Sequence, residues 1–197
     1  MVVERHTLDA NAGKDYYAML YRTAMAISSS LELDQVLENI VEGVTKAMGA
    51  RGAVLRLLDQ ESGQLEVGAA YGLSDKYLKK GSVNISFSRL DGEIKDKHDC
   101  SSMAILDVRT DPRFQYREAA IREGLISALC APLKAHGETI GVLRVYTDTP
   151  VTFQDEDKKF LSVLASLAAQ AIENARLYDA VKTSYDGIVN AFLGVSA

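Results

Sequence analysis

Two short turns limit what this chain can fold into more than any other feature of its 197 residues. Residues 53–59 and 64–73 read as strands separated by Gln60-Glu61-Ser62-Gly63, and residues 126–135 and 138–147 read as strands flanking His136-Gly137. Strands joined this closely must be antiparallel neighbours, because a parallel pair needs a crossover of about a dozen residues. A doubly wound parallel sheet is therefore excluded, and no glycine-rich phosphate loop follows any strand.

Period-2 patterning assigns faces within these hairpins. Leu65, Val67, Ala69, Tyr71 and Leu73 alternate with small or polar residues, which predicts one large apolar face. Ile140, Val142, Arg144 and Tyr146 are expected on one face, as are Val54, Arg56 and Leu58. An arginine in mid-strand is costly to bury unless it is paired. Arg56 and Arg144 therefore either meet an anionic ligand or reach solvent or an acid such as Glu66. Pro132 has no N–H for the ladder and predicts an edge or a bulge. Residues 103–108 form a further short strand, followed by a turn through Pro112 and a short helix over 118–123 that Gly124 ends. Residues 74–101 are the least regular part, with a short helix expected near 92–97.

Helices enclose these strands in the sequence. Residues 14–30 carry Tyr17, Leu20, Tyr21, Ala24 and Ile27 at helical spacing. Asp34 is the expected N-cap of a second helix to Met48, which Gly49 ends. After residue 154, Asp155-Glu156-Asp157 places negative charge at a helix start, where the macrodipole favours it. Leu161, Leu164, Ala168, Ala171, Ala175 and Tyr178 then make a heptad-like seam, widened by Leu167 and Ile172. Residues after Gly187 are expected to fray. Helices first and last, with hairpins between, give an α+β chain on an antiparallel sheet.

Composition closes off several functions. A net charge of −5 argues against a general nucleic-acid binder. The longest uncharged apolar run, residues 160–172, falls short of the roughly 20 residues a membrane span needs. The amino terminus carries charge where a secretory signal needs an apolar run, so a cytoplasmic address is expected. Cys100 and Cys130 make no disulfide framework and are expected to be reduced. His6, His98 and His136 fall in a tail, a loop and a turn, so neither a metal site nor a haem ligand is expected.

Several segments, in order, resemble the GAF domain family. They are Leu33-Asp34-Gln35-Val36-Leu37, residues 124–133 around Pro132, Ile140-Gly141-Val142-Leu143, residues 153–157, and residues 168–178. The resemblance implies a central antiparallel sheet of about six strands. The terminal helices would lie on one face, and short helices and loops would cover a small-molecule pocket on the other. It divides the chain into a dimerisation helix over 1–30, the GAF domain over 31–180 and a helical tail over 181–197. Expected pocket residues are Phe87, Leu106, Asp107, Phe114, Tyr116, Ile121, Leu129 and Arg144. Expected dimer contacts are Tyr17, Leu20, Ala24, Leu161, Leu164, Ala168, Ala171 and Ala175.

The function so implied is a non-catalytic sensory or regulatory module for signal transduction. It would bind an unidentified small molecule, form a homodimer through its terminal helices and act on a signalling partner in trans. No cofactor is named by the sequence, and neither nucleic acid nor membrane is an expected partner. The cyclic-nucleotide signature of the family is absent, since one residue, Gln154, separates Phe153 from Asp155-Glu156 where that motif has three. Residues 113–125 hold no cysteine or histidine to attach a bilin. Two other readings stand beside the sensor: a dimerisation module without ligand, and a free methionine-(R)-sulfoxide reductase using Cys100 and Cys130. Against the reductase, Ala128 stands where those enzymes resemble this strand with an acid, and residues 114–123 lack their cysteine.

Overall fold

The computed structural model describes residues 10–29, 32–81, 83–84 and 102–193. Helix α1 (Ala10–Ser29) and helix α2 (Leu33–Ala47) precede the first hairpin, β1 (Gly52–Leu58) and β2 (Leu65–Tyr71). A one-turn helix α3 (Asp75–Leu78) follows, then β3 (Met103–Ile105), α4 (Arg117–Glu123), the second hairpin β4 (Ser127–Ala135) and β5 (Glu138–Thr147), and the long α5 (Asp155–Leu193). The described strands form one antiparallel sheet of five, in the order β2-β1-β5-β4-β3. That is one strand fewer than the expected six.

The two hairpins form as the turn chemistry requires. Gly63 closes the first turn at φ +69°, and His136 and Gly137 close the second at φ 51° and 83°, a twist that matches the flanking strands. Gly124 ends α4 in the left-handed conformation at φ 78°. Pro132 pairs with Val142 on one side, while β3 meets β4 only from Ala128 to Cys130, so the proline sits at an open edge among the described residues.

Two bulges sort the side chains between the faces. In the first, Leu55 pairs with Ala69 but Arg56 with Val67, so Gly68 is the extra residue. The single apolar face expected of β2 is therefore split. Leu65 joins the core under α3, and Ala69 joins the core under the helices. In the second, Leu133 pairs with Gly141 and Lys134 with Thr139, which leaves Ile140 unpaired. Ile140 turns to the helical side and does not share a face with Val142, Arg144 and Tyr146 as expected.

The helical side carries the larger core. Helix α2 packs on β1 and β2, α5 on β4 and β5, and α1 lies across α2 and α5. Leu161, Leu164 and Ala168 are fully buried here and Ala171 nearly so. The seam expected to pair with a second molecule is thus the helix's own core face. Asp34 lies in the first turn of α2, and Glu32 takes the N-cap position without a side-chain bond, so the expected cap is displaced by two residues. Helix α5 continues unbroken past residue 180 to Leu193, where fraying was expected.

One polar contact locks α1 to the start of α5. The Tyr16 hydroxyl donates to Asp157 Oδ1 at 2.6 Å, and the Tyr16 ring stacks on Phe160 at 3.9 Å between centroids. Asp157 Oδ2 accepts the Gln154 N–H at 2.9 Å, the carboxylate half of a capping box.

Candidate functional site

The opposite sheet face is where unusual chemistry collects. Its central row runs Ala70, Val54, Arg144, Cys130 and Met103 across β2, β1, β5, β4 and β3. Arg144 sits at the middle of this row, half-buried. Its Nε donates to Cys130 Sγ at 3.0 Å, and its guanidinium lies 5.7 Å from the Phe114 ring centroid. A longer contact of 3.5 Å reaches the Tyr146 hydroxyl. In the next row Arg56 pairs with Val142. Arg56 is buried and donates to the carbonyls of Leu65 at 2.9 Å and Leu78 at 3.4 Å, so its fork holds β2 and α3 together. Glu66 is not its partner there, because Glu66 pairs opposite Leu57 and is exposed on the other side.

Helix α3 roofs this face. Ser74 caps it by accepting the Tyr77 N–H, and Glu123 of α4 grips the cap, accepting from Ser74 N at 2.7 Å and from Ser74 Oγ at 2.5 Å. The result is to press Tyr77 into the interior at 2% exposure. Its ring meets Tyr146 edge-on, 5.7 Å between centroids, and Phe114 meets Tyr146 in the same way at 6.4 Å. Lys80 Nζ stands 3.9 Å from the Tyr77 ring centroid and 5.7 Å from that of Tyr116.

The Tyr77 hydroxyl is fully buried and, among the described residues, makes no hydrogen bond of ordinary geometry. Desolvation raises its pKa far above the ordinary phenol range, the neighbouring Tyr146 adds to this, and Arg144 and Arg56 pull the other way. The group is therefore a neutral O–H at any working pH, set in a positive field. An unmade buried bond of this kind costs about 1–3 kcal/mol.

The expected site residues divide accordingly. Phe114 and Arg144 lie together on this face, and Tyr116 is half-buried beside it. Leu129 lies in the helical core, because β4 alternates and only Ala128 and Cys130 face the site. Leu106 and Ile121 are more than half exposed and line nothing buried. Asp107 is turned into its own loop, where it receives the Arg109 N–H and a two-pronged guanidinium contact. Asp111 and Arg113 repeat the same arrangement. These Asp-x-Arg pairs fix the turns around Pro112. Phe87, Cys100, His98 and the helix expected at 92–97 lie outside the described residues. Among the described residues no cluster of metal-ligating side chains occurs. Tyr77 was missed in the sequence, although Ser74 followed by Asp75 is a legible helix start.

The helical side offers a different surface. Leu20 is half-buried, while Tyr17 and Ala24 are exposed, Tyr17 at 77%. A groove of about 450 Å³ runs between α1 and α5 past Tyr17, Leu20, Phe160 and Val163, and another of about 520 Å³ lies between α1 and α2. From Arg176 to Tyr185 every residue of α5 is exposed, including Leu177, Tyr178, Val181 and Tyr185.

Comparison with known proteins agrees with this architecture. The Nif-specific regulatory protein of Herbaspirillum seropedicae is 27% identical over 167 residues, covering 82% of this chain. The chain spans only 30% of that relative's length. The GAF domain of a phosphoenolpyruvate-protein phosphotransferase from Coxiella burnetii superposes with a TM-score of 0.75 at 22% identity, over 87% of this chain and 99% of that one. The free methionine-R-sulfoxide reductase of Neisseria meningitidis superposes with a TM-score of 0.70 at 18% identity, over 90% of this chain and 99% of that one. At such identities the two structural likenesses speak to the fold alone. The GAF domain model matches residues 32–172, most of the sequence and all five described strands, and the chain belongs to the GAF domain family.

Proposed function

We propose that this chain is a non-catalytic sensory module in which a small molecule bound beneath α3 and α4 biases the packing of terminal helices shared with a second copy. The observation that carries the reading is the contrast between the sheet faces. The helical face is a close-packed apolar core, while the other sets a buried arginine, a half-buried arginine, a thiol and, among the described residues, an unsatisfied phenol within a second apolar cluster. Buried polar groups without partners mark places where a ligand completes the structure. Sensor and regulator relatives support a signalling role, and any output through a partner would act on the shared helices.

Exposure supports one choice of dimer contact. Leu164 is wholly internal, so the pairing surface is instead the stripe Leu177, Tyr178, Val181 and Tyr185, joined by Tyr17 and Tyr21. A projecting helix with such a stripe is stabilised by covering it. Light scattering and native mass spectrometry of the freshly purified chain test both parts. The expected result is a dimer that Val181→Glu converts to a folded monomer, with a small molecule retained by the wild type. A monomer at high concentration that holds no small molecule refutes the reading.

A catalytic reading through Cys130 is weakened by its position. The sulfur is completely buried in a central strand and held by Arg144. A nucleophilic thiolate needs access as well as a cation.

A further inference from the structure

Among the described residues two buried side-chain oxygens lack a hydrogen-bond partner, Thr139 Oγ1 and the Tyr77 hydroxyl, and the second is the one held beneath α3. Tyr77 is 2% exposed and its hydroxyl makes no hydrogen bond of ordinary geometry among the described residues, yet α3 is capped at Ser74 and clasped by Glu123, which holds the ring inside. The side chains around it are not neutral. Lys80 stands over its ring, Arg144 and Arg56 act on its hydroxyl through charge, and the Tyr146 ring abuts it.

We propose that this face binds the oxyanion end of a small molecule, a carboxylate or a phosphate, with the Tyr77 hydroxyl as donor and Arg144, Arg56 and Lys80 supplying the positive field. The proposal rests on the sensory reading above and names the chemistry of its ligand.

A protonated phenol in a low-dielectric site offers one strong donor, and donation to an ionised oxygen is worth about twice donation to a neutral one. The surrounding charge chooses the sign of the acceptor. A neutral carbonyl would satisfy the hydroxyl but would gain nothing from three cations. Neither arginine has to be unengaged for this, since both already contact protein groups and act here through their field. Phe114 and Val142 provide the apolar walls against which the rest of a small ligand would lie.

The test is calorimetric titration of the full chain with sodium succinate and, separately, sodium phosphate, each balanced against sodium chloride at equal ionic strength. At least one titration is expected to saturate in the millimolar range or below. Saturation by succinate alone assigns a carboxylate ligand, and saturation by phosphate alone assigns a phosphate. Tyr77→Phe is expected to weaken that binding about tenfold or more. Tyr71→Phe, at an exposed tyrosine outside both the site and the proposed dimer contact, should leave it unchanged. Without added anion, Tyr77→Phe should melt no lower than wild type, because the lost hydroxyl made no bond. The proposal is overturned if neither anion saturates, if Tyr77→Phe binds like wild type, or if it melts lower in the absence of ligand. Native mass spectrometry separates the two levels of failure. A retained neutral molecule with no anion binding defeats the oxyanion assignment and keeps the sensory reading, while an empty chain that binds neither anion defeats both.

Discussion

The contact between Tyr16 and Asp157 is the most direct place to test how α1 is held. The two residues are 141 positions apart, and their side chains meet at 2.6 Å with both residues buried. Tyr16→Phe keeps the ring that stacks on Phe160 and removes only the donor. Asp157 then retains the Gln154 N–H but loses its hydroxyl partner in a poorly solvated position. A hydrogen bond to a charged group contributes about 1.5–3 kcal/mol, and a buried oxygen left short of donors sits at the upper end. For a chain of this length that corresponds to a fall in melting temperature of roughly 3–12 °C. Urea unfolding at fixed protein concentration measures it, since association would otherwise shift the midpoint. A double-mutant cycle with Asp157→Asn isolates the pair, and a coupling of about 1 kcal/mol or more is expected. Hydrogen exchange should show the first turns of α1 losing protection before the sheet does. If Tyr16→Phe is within about 0.5 kcal/mol of wild type and the cycle shows no coupling, α1 is held by apolar packing alone and the polar lock is an incidental contact.

Two further changes have defined outcomes. The Asp111 carboxyl is held below its ordinary value chiefly by hydrogen bonds from Arg113, with burial opposing. Because the folded pKa is the lower one, the stabilisation is complete above the unfolded value near 3.8 and is lost as pH falls through the folded pKa. Arg113→Ala should raise the Asp111 pKa in a carboxyl NMR titration and move the acid-unfolding midpoint to higher pH; an unmoved pKa rules out the pairing as its cause. Gly141→Ala would place a Cβ 2.3 Å from the Arg56 carbonyl oxygen, a clash that no rotamer relieves. It should cost about 1–3 kcal/mol by forcing β1 from β5, and an alanine variant as stable as wild type contradicts that close approach.

Much of the framework was readable because it depends on local chemistry. The Gln60–Gly63 and His136-Gly137 turns dictate antiparallel pairing whatever surrounds them, and the stripe from Val36 to Val44 can only bury one side of a helix. What failed were inferences that carried period 2 through an irregularity. Gly68 and Ile140 each insert one residue into a ladder, and each moves its neighbours to the other face. The expected dimer seam failed for a different reason. Spacing at three and four residues shows that a helix has an apolar face but not whether its own sheet or another molecule covers it. Leu161, Leu164 and Ala168 are covered by their own sheet. At the candidate site, Arg144 and Phe114 were legible as oddities of type and position. Tyr77 was not, because only the cap at Ser74 and its clasp to Glu123 turn an irregular stretch into a roof.

That division between the faces has an energetic logic. Drawing a guanidinium from water costs several kcal/mol even after relaxation, and this sheet carries two on one side. Cation–π contact with Phe114 returns about 0.5–2 kcal/mol, and the carbonyls that receive Arg56 return a comparable amount each. The polar groups of the site face therefore add little to stability, which on this side comes from apolar residues such as Leu58, Leu65, Ile105 and Leu125. On the other face Leu37, Ile40, Leu55, Leu133, Leu143, Leu161 and Leu164 are all at 1% exposure or less, and each contributes about 1.5–3 kcal/mol by burial. Two or three of them offset the cost of burying an arginine. A sheet with an apolar core on each side can hold a buried hydroxyl that is left short of a partner until something binds. By the same reasoning, ligand binding should raise the melting temperature of this chain, because the state it completes is the one that carries the unmet cost.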